Sequence, residues 1–233
     1  ISADQKFNRI IEPFGGSGLL GNAIASKVKA PRVLNDLDGP LVRFHQAVQE
    51  RPQVVAHSFQ RIISEFEKIP AEHGMPDGLG HSAVQAVKLL WKKYKDRHEA
   101  GDLSDDESLG WFAVTNNGAI AVMGKDQRIL ANHGTKWNIN KNLVPNFRSA
   151  IASHHNSLSG VSIINGDARK ALRSAKRGDL VPVDPPYVNA TGYKHGSDLE
   201  TIAGAVDFIL NDINDKQPID FQVIHRQVFQ ITV

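Results

Sequence analysis

One stretch restricts this chain more than any other. Arg9-Ile-Ile-Glu-Pro-Phe14, a short apolar run, opens directly into Gly15-Gly-Ser-Gly18. Leu19 to Lys29 then has helical composition, with Leu20, Ile24 and Val28 at i, i+4 and i+8. Glycine permits positive φ and a close approach of backbone to a ligand, so this turn can let a nucleoside lie over the strand end. Gly16-Ser-Gly18-Leu-Leu-Gly21 satisfies G-x-G-x-x-G in that setting. Pro31-Arg-Val-Leu-Asn-Asp36 reads as a second strand, and Leu41 to Glu50 as a second helix. Strand, glycine turn, helix, strand, helix predicts an α/β fold, the first half of a doubly wound parallel sheet.

From about Arg51 to His155 this alternation stops. Val54 to Lys68 and Ser82 to Glu99 look helical, and Gly101 to Gly110 reads as an acidic loop. Trp111 to Met123 reads as two apolar runs around Asn117-Gly118, the signature of a hairpin. His154 and His155 are adjacent, which does not suit a metal pair on a helix face, and read as linker. The alternation resumes with a strand over Val161–Asn165, a helix over Ala168–Lys176 and a strand over Asp179–Val183. A helix over Asp198–Asp215 and strand material over Ile219–Val233 follow. Single cores rarely exceed ~250 residues. A chain of 233 therefore suits two domains, here 1–50 with 155–233, and an inserted 51–154.

Composition removes several classes of function. Hydrophobic residues at 41% and charged residues at 22% describe a folded chain. The absence of cysteine excludes disulfide scaffolds, thiolate metal sites and cysteine nucleophiles. The ten histidines show no metal-ligand spacing, so no metal is expected. No apolar run approaches the ~20 residues that span a bilayer. No membrane partner is expected, and without a secretory signal the expected location is cytoplasmic.

The acidic residues carry the chemistry. Asp36 lies eighteen positions after Gly18 at the end of the next strand, where its carboxylate can accept from ribose hydroxyls. By itself that pair does not separate a nicotinamide dinucleotide from S-adenosylmethionine. Asp184-Pro-Pro-Tyr187 closes another strand. Consecutive prolines restrict φ and remove two N–H groups, leaving carbonyls free to accept. Asp184 and the Pro185 carbonyl can take both hydrogens of an exocyclic amine and aim its nitrogen at an electrophile. Tyr187 can stack on a planar base, worth ~1–3 kcal/mol. Gly166-Asp167 ends the strand before and offers another acceptor; Asp167 also suits a helix N-cap. The plain alternative for 184–187 is a Pro-Pro turn with a packed tyrosine.

Glu12-Pro13-Phe14-Gly15-Gly16-Ser17-Gly18, Asn35-Asp36, Gly166-Asp167 and Asp184-Pro185-Pro186-Tyr187, in that order, resemble the amino-group DNA methyltransferases. More narrowly, they resemble the Dam-type, alpha-group N6-adenine enzymes. The resemblance implies a Rossmann-like fold with S-adenosylmethionine in the Pro13–Gly18 turn, Asp36 on the ribose and Asp167 on the cofactor's adenine. It implies that 184–187 hold a target adenine flipped out of duplex DNA for methylation at N6. It also places a target-recognition domain at 51–154 and leaves room for a restriction endonuclease counterpart. A basic, aromatic element before the turn and a Ser-Asn element after the catalytic motif have no clear counterpart here.

Charge distribution bears on DNA. Lys88, Lys92, Lys93, Lys95 and Arg97 cluster with one anion, Asp96, and with Trp91 and Tyr94 between them. Lys125, Arg128, Lys136, Lys141 and Arg148 form a second basic stretch. Such clusters neutralise phosphates, although a charge run also suits a solvated helix face. Asn116 and Asn117 can present amides to base edges, or simply form a turn. Three rival readings stand beside the first: a nicotinamide-dependent oxidoreductase, an RNA or protein amide methyltransferase, and a decayed homologue that still binds DNA.

Overall fold

The structure, a computed structural model, describes residues 6–72, 81–116 and 142–184. It divides into two compact units, Ile1–Gln46 with Ser159–Val233, and Ala47–Leu158.

The first unit is mixed α/β around a small parallel sheet. Its strands are β1 (Ile10–Glu12), β2 (Arg32–Asp36) and β3 (Val161–Asn165), in the order β1-β2-β3. Ile10 pairs with Arg32, and Arg32 with Val161, so the strands run in step toward Glu12, Asp36 and Asn165. Side chains alternate across a strand, so Ile10 and Ile11 serve opposite faces. Ile10 packs with Ile24 of helix α1 (Leu19–Ala25) and Leu180. Ile11 packs with Ala171 and Leu172, which belong to the short helix Ala168–Arg173. Helix α2 (Gly39–Glu50) follows β2. The helix expected to reach Lys29 ends at Ala25, where Ser26 Oγ donates to the Ala23 carbonyl and Lys27 N–H reaches back only to Ile24.

On the side of β1 away from β2 lies Leu180. Leu180 N–H donates to Arg9 O (2.8 Å), and Ile11 N–H donates to Leu180 O (2.9 Å). The strand expected over Asp179–Val183 is therefore a single parallel bridge, Ile10 to Leu180. The next rungs need N–H groups at 182 and 13, and both positions are proline. Asp179 anchors the segment: its carboxylate takes the Arg9 guanidinium at 2.6 Å and the Lys176 N–H at 2.9 Å. β1 thus sits between β2 and a later segment, so the chain order along the sheet reverses there.

In its described residues the second unit is helical: α3 (Pro52–Glu72), α4 (His81–Glu99), α5 (Asp105–Asn116) and α6 (Leu143–Ser157). The short helix Ala168–Arg173 of the first unit is α7. Val55, Phe59, Ile62, Ile63, Phe66 and Ile69 recur at helical spacing along α3 and are all buried. Phe59 stacks on Phe147 of α6 with ring centres 3.8 Å apart. Trp111 of α5 packs against Trp91 and Tyr94 of α4 at 4.6 and 5.4 Å.

Three expectations fail in this unit. Trp111 to Asn116, expected as the first arm of a hairpin, is the second half of α5. Trp111, Ala113 and Val114 are all buried, which is no strand alternation, and a short apolar run does not distinguish strand from buried helix. The acidic stretch before it, expected as loop, supplies the first turn of α5. Ser104 Oγ accepts from Glu107 N–H at 3.2 Å, and the Glu107 carboxylate accepts from Ser104 N–H at 3.1 Å. That is a capping box. His154 and His155, expected as linker, lie in the last turn of α6, which buried Leu143, Phe147 and Ile151 carry forward. His155 Nδ1 lies 3.1 Å from the Val48 carbonyl. The turn at Asn117-Gly118, the helix over 198–215 and the strand material over 219–233 lie outside the described residues. Among the described residues no helix is long and apolar enough to cross a membrane.

Candidate functional site

The glycine turn is held from below by a buried ion pair. Glu12, at the end of β1, is 2% exposed. Its Oε1 accepts from the Gly21 N–H at 2.8 Å, in the first turn of α1, and its Oε2 accepts from Arg32 at 2.9 Å. Burial pushes the Glu12 carboxyl up from its ordinary pKa, with Arg32 pulling the other way. Glu12 therefore serves as an anchor for the turn and a cap for α1, whose N-cap Gly18 has no side chain to offer. A Cβ on Gly21 would lie 1.9 Å from Glu12 Oε2, so only glycine fits between helix and carboxylate.

Above that anchor the turn follows the ends of β1 and β2. Gly15 N–H donates to Asn35 O at 2.7 Å. Gly16 has φ +48° and nothing within 4 Å of where a Cβ would stand, so its outer face is open. Gly16 N–H donates to Asp36 Oδ2 at 2.8 Å, and Asp36 Oδ1 accepts from Asp38 N–H at 2.9 Å. Asp36 is half-buried, and its carboxylate is brought directly to the glycine turn. Ser17 is exposed, Pro13 buried and Phe14 half-buried.

Asn35 is buried and ties strand ends together. Its Nδ2 donates to Pro13 O at 3.0 Å and to Gly166 O at 2.9 Å. Gly166 N–H in turn donates to Asp36 O at 3.0 Å. Asp167 is the N-cap of α7: its Oδ1 accepts from Arg169 N–H at 2.8 Å, and the Arg169 side chain reaches the same carboxylate. Those bonds hold the Asp167 carboxyl below the usual carboxylate range, the Arg169 side chain contributing most.

Asp184 closes the described part of the segment beside β1. Val183, one residue earlier, belongs to the apolar cluster of Ile11 against which Phe14 packs. Asp184 thereby follows a residue tied to the start of the glycine turn. Pro185, Pro186 and Tyr187 lie outside the described residues.

Two features of the site escaped the sequence. His45 of α2 places Nε2 2.8 Å from the Gly16 carbonyl. Leu37, next to Asp36, is 52% exposed although apolar. No motif marks His45, whereas an apolar residue directly after Asp36 was visible.

In the second unit the basic stretch of α4 is largely paired. Lys92 pairs with Asp96, Lys95 with Glu99 at 3.7 Å, Lys93 with Glu65 at 3.7 Å and Arg97 with Glu107 at 3.1 Å. Lys88 is exposed and makes no ion pair among the described residues. Trp91 and Tyr94, between these cations in sequence, face the core and are 7% and 2% exposed. Tyr94 Oη donates to Glu65 at 2.6 Å, and burial with that contact pushes its phenol well up. Asn116 is the last residue of α5. Asn117, Lys125, Arg128, Lys136 and Lys141 lie outside the described residues; Arg148 of α6 pairs with Gln60.

No protein-family model matches the chain. Over 190 residues, 79% of its length, it is 26% identical to the type II methyltransferase M1.LlaDCHI of Lactococcus lactis subsp. cremoris. The chain is similar to a methyltransferase. It spans 58% of that relative's length. The likeness suggests a methyltransferase family, and a mixed α/β unit with a small parallel sheet is compatible with a methyltransferase fold.

Proposed function

We propose that this chain is part or all of a DNA methyltransferase that uses S-adenosylmethionine and acts on the N6 of adenine. The observation that carries the reading is the approach of the Asp36 carboxylate to the open Gly16 turn, at the carboxyl ends of β1 and β2. In open α/β sheets ligands collect at that rim, where the strand order reverses, and here it reverses at β1. The similarity to a type II methyltransferase supports the class of reaction. On this reading the first unit is a doubly wound catalytic domain and the helical unit a target-recognition domain.

The residues present suit the cofactor. The outer face of Gly16 leaves room for a nucleoside, Asp36 supplies an acceptor for ribose hydroxyls, and exposed Leu37 offers apolar surface beside it. Glu12 and Asn35 act one layer back, holding the turn and the strand ends in place. When bound, S-adenosylmethionine supplies an electrophilic methyl group on a sulfonium. Asp184 and the Pro185 carbonyl accept from the adenine amine, Tyr187 stacks on its ring, and the Pro185-Pro186 pair stiffens that grip. Asp184 orients the amine rather than acting as a strong base.

The test is transfer of labelled methyl from S-adenosylmethionine to duplex DNA, followed by mapping of modified adenines. Asp184→Ala is expected to abolish transfer while cofactor affinity stays within ~3-fold, because the lost interaction belongs to the reacting amine. Transfer undiminished in Asp184→Ala, or label appearing in RNA or protein alone, overturns the assignment.

A further inference from the structure

His45 stands outside every motif in the sequence, yet it is 2% exposed and touches the turn directly. Its Nε2 lies 2.8 Å from Gly16 O. A carbonyl oxygen can only accept, so Nε2 carries the hydrogen. Burial holds the imidazole below its ordinary pKa, while the Gly16 carbonyl and the Asp36 carboxylate pull it up. The ring is therefore neutral near pH 7, and its one N–H is spent on the turn.

What that bond controls follows from glycine. Gly16 is at φ +48° with no atom near its Cβ position, so contacts on that side do not hold its backbone. Its two flanking peptide planes are fixed by hydrogen bonds instead. Asp36 takes the N–H of one, and His45 takes the carbonyl of the other. Without the second bond, the Gly16–Ser17 peptide loses the donor that fixes its carbonyl, and with no side chain at Gly16 rotation about its Cα–C bond (ψ) is sterically open. A rotated peptide exchanges a carbonyl for an N–H at the surface a ligand would meet and releases the shape that sets Asp36.

We infer that His45 is a positioning residue for the cofactor turn, holding the Gly16 carbonyl from α2 so that turn and Asp36 keep a single binding shape. This rests on S-adenosylmethionine being the ligand of the turn, as proposed above. Its contribution falls on cofactor affinity and not on the chemical step, because His45 reaches the ligand only through Gly16.

The experiment compares the full wild-type chain with His45→Gln, whose amide can donate at similar reach, and His45→Phe, which fills the ring volume without a donor. Calorimetry gives the S-adenosylmethionine dissociation constant, methyl transfer to DNA gives kcat and KM, and circular dichroism reports folding. His45→Phe is expected to raise Kd and KM for the cofactor ~10-fold with kcat within ~2-fold, the scale of one buried hydrogen bond. His45→Gln is expected to recover binding to within ~3-fold of wild type. Equal affinities in His45→Phe and wild type overturn the inference while leaving the proposed function standing. Equal losses in His45→Gln and His45→Phe overturn it as well, as does unfolding of both variants, since the side chain then serves packing alone. If the wild-type chain binds no S-adenosylmethionine, the proposed function falls first and this inference with it.

Discussion

A methyl group added at Gly21 and one added at Gly16 meet different surroundings. At Gly21 it would lie 1.9 Å from Glu12 Oε2 and 2.5 Å from the Arg32 guanidinium, inside a buried ion pair. Forcing that pair apart leaves charge uncompensated, so Gly21→Ala is expected to cost ~3–5 kcal/mol in urea unfolding. At Gly16 the space is open and only the positive φ resists, so Gly16→Ala is expected to cost ~1–2 kcal/mol. A larger loss at Gly16 than at Gly21 would refute this account of the turn. His45 gives a pH dependence. Its folded pKa lies below the ordinary value of 6.5, so the unfolded chain takes up a proton first as pH falls. The stability from the neutral, buried ring is complete above about pH 6.5 and is lost on acidification toward the lower folded pKa. Unfolding free energies between pH 8 and pH 5 are expected to decline less in His45→Gln than in wild type. Asp36 was legible at this scale from its distance to the glycine turn. His45 was not, because it meets Gly16 across α2, and nothing local marks such a contact.

At the scale of elements, α5 is the instructive case. Its start rests on the reciprocal bonds of Ser104 and Glu107. Ser104→Ala is expected to cost about 1 kcal/mol, read as a shift of the thermal unfolding midpoint of the full chain. No shift would mean that packing of Leu109, Trp111 and Val114 alone sets the helix. Ser104-Asp-Asp-Glu107 was readable as a capping box, but its acidic residues suggested a loop, and the Asn117-Gly118 pair drew Trp111 to Met123 into a hairpin. Local turn chemistry competed with local cap chemistry, and burial on more than one face decided for helix. The strand expected over 179–183 fails for another reason: Pro182 and Pro13 lack the N–H groups that the next rungs need, which limits it to one bridge. In α4 the spacing of Trp91 and Tyr94 fits a core-facing stripe, with the cations on the remaining surface largely paired to Asp96, Glu99, Glu65 and Glu107.

For the whole molecule, a ligand that binds only the folded chain raises its stability by mass action. S-adenosylmethionine at 100 times its Kd is expected to add ~2.7 kcal/mol, seen as a rise in the unfolding midpoint. Asp36→Ala should abolish that rise, since it removes the acceptor that faces the turn. A ligand-induced rise that survives in Asp36→Ala would move the cofactor away from Gly16. By itself the sequence determined that three short strands, a glycine turn and acidic residues at the strand ends recur in one order, because strand periodicity and turn chemistry are local properties. It also located the interruption between them, because loss of the α/β alternation is visible along the chain. Only the tertiary structure decided which partners those residues take: Glu12 with Arg32, Asn35 between Pro13 and Gly166, His45 under Gly16. Those contacts join residues far apart in the chain, and pairing across such distances depends on how strands and helices pack, which no local pattern encodes.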